Sequence, residues 1–216
     1  MNVIELFSSI DGEGKRQGFL TTFLRLHDCN IRCSYCDTLY SYGLESTFES
    51  MSVQAVADEI EQLGNHRITI TGGEPLLQEL AVIELIDELT RRNHRYDFNI
   101  ETNGTIIPSF HRDNVWFTYD YKTPSSLAED AMNLDIFKVA TSEDIIKFVV
   151  GSIRDLDRMD EILKTYPTKA QIFVSPVWGN IEGATIVDYM KAHDWQNVRF
   201  QLQIHKFIWD PDAKGV

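Results

Sequence analysis

The chain has 216 residues, 43% of them hydrophobic and 25% charged, which suits one globular domain with a substantial core, and residues 1–216 are read as a single domain. Its formal net charge is -13, with acidic residues scattered and no basic stripe, so a nucleic-acid partner is disfavoured. Met1 to Glu5 hold neither a basic segment nor an apolar run, and no stretch of about 18 apolar residues follows, so no membrane partner is expected and the location is read as cytoplasmic.

Val3 to Phe7 and Thr21 to Leu26 read as strands, and a cluster of cysteines follows directly. Ser52 can cap a helix whose apolar positions Val53, Val56, Ala57, Ile60 and Leu63 recur at helical spacing, with Gly64 as its stop. Arg67 to Thr71 is the next strand, and the stripe Val82, Leu85, Ile86, Leu89 marks a second helix. Strands at Phe98 to Glu101, Val115 to Tyr119 and Asp144 to Val150 lead to a helix over Ser152 to Tyr166 with a Ser-x-x-Asp start. Gln171 to Ser175 and Val198 to Ile204 are the last strands, with a helix at Ile181 to Ala192 between them.

This alternation is the pattern of parallel strands with crossover helices. It fits a closed barrel, a partly open one or a doubly wound sheet alike, but it gathers reactive groups where strands end. Thr71 to Pro75, Glu101 to Gly104, Asp120 to Pro124 and Ser175 to Gly179 all follow strands and should share one rim.

Cys29, Cys33 and Cys36 are the chain's three cysteines, spaced C-x3-C-x2-C in one loop. An odd, clustered set points to metal or redox chemistry in a reducing compartment rather than to disulfides. Thiolates are the soft ligands an iron-sulfur cluster requires, and a four-iron cubane normally takes four protein sulfurs. With three, one iron stays open, as binding and reducing S-adenosylmethionine (SAM) would need. A structural zinc site completed by His27, in a non-catalytic binding module, is the alternative.

The triplet together with Thr71-Gly72-Gly73-Glu74-Pro75 resembles the radical SAM superfamily. Ile10-Asp11-Gly12-Glu13-Gly14, Phe23-Leu24-Arg25-Leu26, Cys36-Asp37-Thr38, Thr71 to Gln78, Glu101-Thr102-Asn103-Gly104-Thr105 and Leu202-Gln203-Ile204-His205-Lys206 resemble its 7-carboxy-7-deazaguanine synthase family. That resemblance implies an α/β fold, a reduced or modified partial TIM-type β/α barrel, and a homodimer. The implied activity is that of a carbon-nitrogen lyase of queuosine biosynthesis. It converts 6-carboxy-5,6,7,8-tetrahydropterin to 7-carboxy-7-deazaguanine with loss of ammonia, and flavodoxin or ferredoxin is the implied electron donor. A 4Fe-4S cluster, SAM and Mg2+ are the implied cofactors.

By the same resemblance, Cys29, Cys33 and Cys36 hold the cluster and Thr38 ligates magnesium, with Arg25, Thr38 and Glu13 at the reacting centre. Ile10, Asp11, Gly12, Glu13, Arg25, Thr71, His205 and Val216 would contact the substrate. Tyr35, Asp37, Gly73, Glu74, Asn103, Asp120, Tyr121, Lys122, Ser175, Pro176, Val177 and Trp178 would contact SAM. Arg25 also reads as a strand-end surface charge, and His205 as a structural histidine. Asp11 stands where the family usually has Gln, Asp28 where it has Gly, and Asp120-Tyr121-Lys122 where Ser-Pro-Lys is common. The first two add negative charge near the expected pocket. An activase that makes a glycyl radical on a partner protein shares the cysteine spacing, but the Asp-Gly-Glu-Gly and His-Lys matches argue against it.

Overall fold

A computed structural model describes residues 1–43 and 45–216. Among the described residues nine strands form one sheet in the order β3-β1-β2-β4-β5-β6-β7-β8-β9. They are β1 (Asn2–Ile10), β2 (Leu20–Leu26), β3 (Glu49–Ser50), β4 (Arg67–Gly72), β5 (Asp97–Thr102), β6 (Val115–Lys122), β7 (Ile145–Val150), β8 (Gln171–Pro176) and β9 (Val198–Phe200). From β2 to β9 every neighbouring pair is parallel, and the β1–β2 and β1–β3 pairs are antiparallel. The sheet does not close, so the architecture is a partial β/α barrel. The helices are α1 (Val53–Leu63), α2 (Glu79–Arg92), α3 (Ile136–Val139), α4 (Ile153–Thr165), α5 (Gly183–Ala192) and α6 (His205–Ile208).

Alternation along the parallel strands sorts side chains between two faces. Leu24, Leu26, Ile68, Ile70, Phe98, Ile100, Phe117, Tyr119, Tyr121, Ile146, Phe148 and Val174 enter the core shared with Val56, Ile60, Val82, Leu85, Ile86, Leu89, Leu156 and Ile162 of the helices. Phe23, Arg25, Thr71, Glu101, Asp120, Lys122, Lys147 and Val149 lie on the opposite face, around one pocket. The capping residues act as their types predict. Ser52 Oγ accepts the Ala55 N–H at 3.1 Å, and Asp155 accepts the N–H groups of Gly151 and Ser152 at 2.7 and 3.1 Å.

The last strand is shorter than its sequence suggests. Gln201 N–H still donates to Val174 O on β8 at 2.9 Å, but residues 202–204 leave the sheet, and the segment binds the loop between β1 and β2 instead. Gln201 Oε1 accepts the Gly14 N–H at 2.8 Å, its Nε2 donates to the Gly14 carbonyl at 3.1 Å, and the Ile204 N–H donates to the Gly12 carbonyl at 3.1 Å. That loop crosses the pocket side of the sheet. Buried Arg16 donates to Ile68 O at 2.9 Å and Thr69 Oγ1 at 2.7 Å on β4, and Lys15 donates to Glu143 O at 2.6 Å just before β7. A strand-forming composition therefore loses to a better set of polar partners.

Candidate active site

The three cysteines lie in the loop after β2, and all line the pocket. Asp28 opens this loop with φ at +78°, a left-handed conformation that glycine adopts freely and aspartate tolerates. That is why glycine is at home there, and how this chain manages without it: Asp28 Oδ1 accepts the Cys29 N–H at 2.8 Å. The next turn packs directly on the loop. Glu74 N–H donates to Asp28 O at 2.7 Å, and a Cβ on Gly73 would stand 1.9 Å from that same oxygen. Only glycine fits, so the Gly-Gly turn sets the height of the cysteine loop.

Burial raises the pKa of the Cys29 and Cys33 thiols. Cys29 Sγ lies 3.7 Å from Asn103 Nδ2, and Cys36 Sγ lies 3.6 Å from Thr38 Oγ1. Burial also opposes the charge on Lys122, but Asp120 and the Cys33 sulfur more than offset it, and the ammonium pKa is raised. A cation thus sits beside sulfurs that must ionise to bind iron.

Deeper in the pocket is a buried charged network. Lys147 Nζ pairs with Glu13 and lies 3.0 Å from Asp120 Oδ1, and Asp120 Oδ2 is 3.4 Å from Lys122 Nζ. Gln203 Nε2 donates to the second Glu13 oxygen. Glu101 faces the same cations, and its pKa is pushed up to about 7, first by burial and then by Asp11, Glu13 and Asp120, with Lys147 opposing. Arg25 donates through Nε to Glu5 Oε1 at 2.6 Å. His205 packs over Gly12, where a Cβ would stand 2.0 Å from Nδ1, and burial lowers the pKa of its ring.

The structure brings most of the expected residues into this one pocket: Ile10, Asp11, Gly12, Glu13, Arg25, Thr71, His205 and Val216, together with Tyr35, Asp37, Thr38, Gly73, Asn103, Asp120, Lys122, Val177 and Trp178. Glu74, Tyr121, Ser175 and Pro176 are not among its lining residues. Glu74 is fully buried, accepting from Leu76 N at 2.9 Å, Thr102 Oγ1 at 2.9 Å and Asn103 N at 2.7 Å, so its carboxylate ties the turn after β4 to the turn after β5. Tyr121 points to the helix-covered face, its OH donating to Glu129 at 3.0 Å, as alternation between Asp120 and Lys122 requires. Ser175 is fully buried at the end of β8, beside Pro176.

The extra carboxylate at Asp11 lines the pocket, as expected, and has a partner inside the fold. Its Oδ2 accepts from Arg16 Nε at 3.2 Å, Thr69 Oγ1 at 3.3 Å and Thr21 Oγ1 at 3.4 Å, so an internal guanidinium balances it. Lys147, Glu101, Gln203, Glu5 and Tyr40 are site residues not singled out from the sequence. Lys147 had a signal, a lone cation inside the apolar run Ile145-Ile146-Lys147-Phe148-Val149-Val150.

An open β/α sheet, with three cysteines after its first parallel strand and a Gly-Gly-Glu-Pro turn after the second, defines a radical SAM enzyme, and residues 25–149 match the model of the Radical SAM superfamily. The chain is 39% identical to a 7-carboxy-7-deazaguanine synthase of Clostridium acetobutylicum, over 99% of this chain and 98% of that one. It is 37% identical to one of Methanospirillum hungatei, over 98% of this chain and 86% of that one. The crystal structure of QueE from Escherichia coli shares the fold, with a TM-score of 0.68 at 24% identity, covering 93% of this chain and 92% of that one. The chain belongs to the 7-carboxy-7-deazaguanine synthase family.

Membership implies a 4Fe-4S cluster and SAM, and the residues present fit both. Among the described residues no three His, Cys, Asp or Glu side chains are grouped to hold one ion, and the three thiols that line one pocket are the soft donors an iron-sulfur cluster takes. His27 packs against Phe48, with ring centroids 4.4 Å apart, and is not a lining residue, so the zinc alternative loses its fourth ligand. No helix among the described residues is long and apolar enough to cross a membrane.

Proposed function

We propose that this chain, a single radical SAM domain over residues 1–216, converts 6-carboxy-5,6,7,8-tetrahydropterin to 7-carboxy-7-deazaguanine with loss of ammonia, the lyase step of queuosine biosynthesis. The observation that carries the reading is that one pocket joins three thiols with the polar set Arg25, Glu13, Lys147 and Glu101, the two groups bridged by Asp120 between Lys122 and Lys147. When bound, the cluster supplies the electron that cleaves SAM, and SAM supplies the group that takes hydrogen from the substrate's C6.

Cys29, Cys33 and Cys36 hold the cluster. Tyr35, Asp37, Gly73, Asn103, Asp120, Lys122, Val177 and Trp178 line the space for SAM. Arg25 receives the pterin carboxylate on its free nitrogens, and the Thr38 hydroxyl, which lines the same pocket, would be the protein's oxygen ligand to a magnesium ion that stabilises charge on the substrate. Glu13 is fixed by Lys147 and Gln203, and its remaining lone pairs accept from the amino and ring N–H groups of the pterin. Ile10, Gly12 and Thr71 close round the ring. His205 is kept neutral by burial and offers one donor and one acceptor, and Val216 closes the side. Glu101, with a pKa near neutrality, can hold or release a proton beside the ring. A homodimer in the cytoplasm, reduced by flavodoxin or ferredoxin, completes the reading.

The test is anaerobic turnover of cluster-reconstituted protein with dithionite, SAM, magnesium and 6-carboxytetrahydropterin. Formation of both 5'-deoxyadenosine and 7-carboxy-7-deazaguanine supports the reading. Formation of 5'-deoxyadenosine alone keeps the superfamily and rejects the substrate. Thr38→Ala should raise the magnesium requirement while leaving cluster loading intact.

A further inference from the structure

Arg25 has a support that the expected chemistry does not assign. Glu5 stands opposite it across the β1–β2 pair, and Glu5 Oε1 accepts both Arg25 Nε at 2.6 Å and Tyr40 OH at 2.8 Å. A guanidinium can meet a carboxylate side-on, through Nε and one Nη, or end-on through its two Nη groups. With Nε taken, only the end-on approach remains. Both Nη nitrogens have no hydrogen-bond partner among the described residues, and Arg25 lines the pocket.

The same tyrosine reaches a second cation. Lys214 Nζ lies 4.1 Å from the centroid of the Tyr40 ring, and Arg25 Cζ lies 5.9 Å from it. Residues 211–216 line the pocket alongside Arg25. Tyr40 therefore links three things: the carboxylate that fixes Nε, the guanidinium itself and the segment that walls the pocket. The link is mostly shielded, since the side chains of Arg25 and Glu5 are 15% and 20% exposed.

We infer that Glu5 and Tyr40 are positioning residues that aim the two Nη groups of Arg25 at the substrate's carboxylate, and that Lys214, clasped on Tyr40, couples closure of segment 211–216 to that aim. This rests on the pterin-acid reading above. When the clasp is made, the ring is held, the shared Glu5 oxygen is held through the phenol, and the guanidinium plane cannot swing. When it is released, the fork and the wall loosen together. Tyr40→Phe removes the shared hydrogen bond and keeps the ring, whereas Lys214→Ala removes the clasp and keeps the bond. Lys214→Arg keeps a cation over the ring.

The experiment uses the full, cluster-reconstituted chain and two readouts. In steady-state kinetics Glu5→Gln should raise KM for 6-carboxytetrahydropterin by about tenfold, as loss of a charge-assisted bond does. Tyr40→Phe and Lys214→Ala should each raise it about threefold, with KM for SAM unchanged and kcat largely kept, and Lys214→Arg should recover the wild-type value. The second readout needs no turnover: acylation of Lys214 by an amine-reactive ester, followed by mass spectrometry, should be faster in Tyr40→Leu than in wild type or Tyr40→Phe. If wild type makes product but KM is the same in all variants, the positioning role is wrong. If Lys214 acylates equally fast with and without the Tyr40 ring, the clasp is wrong, whatever the substrate proves to be. If wild type makes no product, the functional reading fails, and the labelling result still decides the clasp.

Discussion

Lys147 is the residue whose removal should cost most. It is a lysine on β7 with a side chain 7% exposed, it pairs with Glu13, and it lies 3.0 Å from Asp120. Lys147→Met keeps the length and the apolar stem but leaves a carboxylate buried without its cation. Breaking a buried pair in this way costs about 3–5 kcal/mol. Asp120 retains Lys122 at 3.4 Å, so the loss falls chiefly on Glu13 and the lower half of that range applies. At roughly 2–4 °C per kcal/mol for a chain of this size, the melting temperature should drop by about 6–16 °C. The assay is thermal unfolding of the apo-protein under anaerobic conditions at pH 7, with near-ultraviolet dichroism as the signal. Adding Glu13→Gln should restore more than half of the loss, because it neutralises the stranded charge. A single variant that melts within 1–2 °C of wild type, or a double variant less stable than the single, would refute the network.

Three further outcomes follow from the geometry. Gly73→Ala places a methyl 1.9 Å from Asp28 O, so the cysteine loop must move, and iron content after reconstitution should fall by more than half while the fold persists. Glu101 titrates near 7 in the folded chain, well above its unfolded value, so the folded state holds its proton more tightly and stability from this group is lost as pH rises from about 4.5 to 7. Glu101→Gln should flatten that part of the stability profile, and an unchanged slope would show that Glu101 does not titrate there. Glu74→Ala strands the buried N–H groups of Leu76 and Asn103 and the Thr102 hydroxyl, so it should destabilise by about 2–4 kcal/mol, read by urea unfolding. A variant as stable as wild type but poor in SAM binding would return Glu74 to the cofactor side.

How far the sequence foretold this can be judged residue by residue. Strands, helices and the shared rim were legible from apolar alternation and from the helical stripes at Val53 to Leu63 and Val82 to Leu89, the first of which coincides with a cap at Ser52 and a stop at Gly64. The cysteine loop was legible from spacing alone. Glu74 was expected to contact SAM, because backbone carbonyls and a carboxylate beside glycines suit its amino group; that the carboxylate itself is buried depends on Thr102 and Asn103, nearly thirty residues on, a long-range pairing that spacing does not encode. Tyr121 is different: alternation between two pocket residues already placed it on the other face. Asp11 carried a charge whose partner, Arg16, is five residues away but meets it only through the fold of the β1–β2 loop. Glu5 and Tyr40 gave no local signal, since they matter through Arg25.

The central claim is that this pocket brings SAM chemistry to C6 of a pterin acid. The most direct test is a single anaerobic turnover with 6-carboxytetrahydropterin deuterated at C6, followed by mass spectrometry of 5'-deoxyadenosine. One deuterium in 5'-deoxyadenosine, together with 7-carboxy-7-deazaguanine, is the expected result. Unlabelled 5'-deoxyadenosine accompanying that product would place the abstracted hydrogen elsewhere and contradict the account.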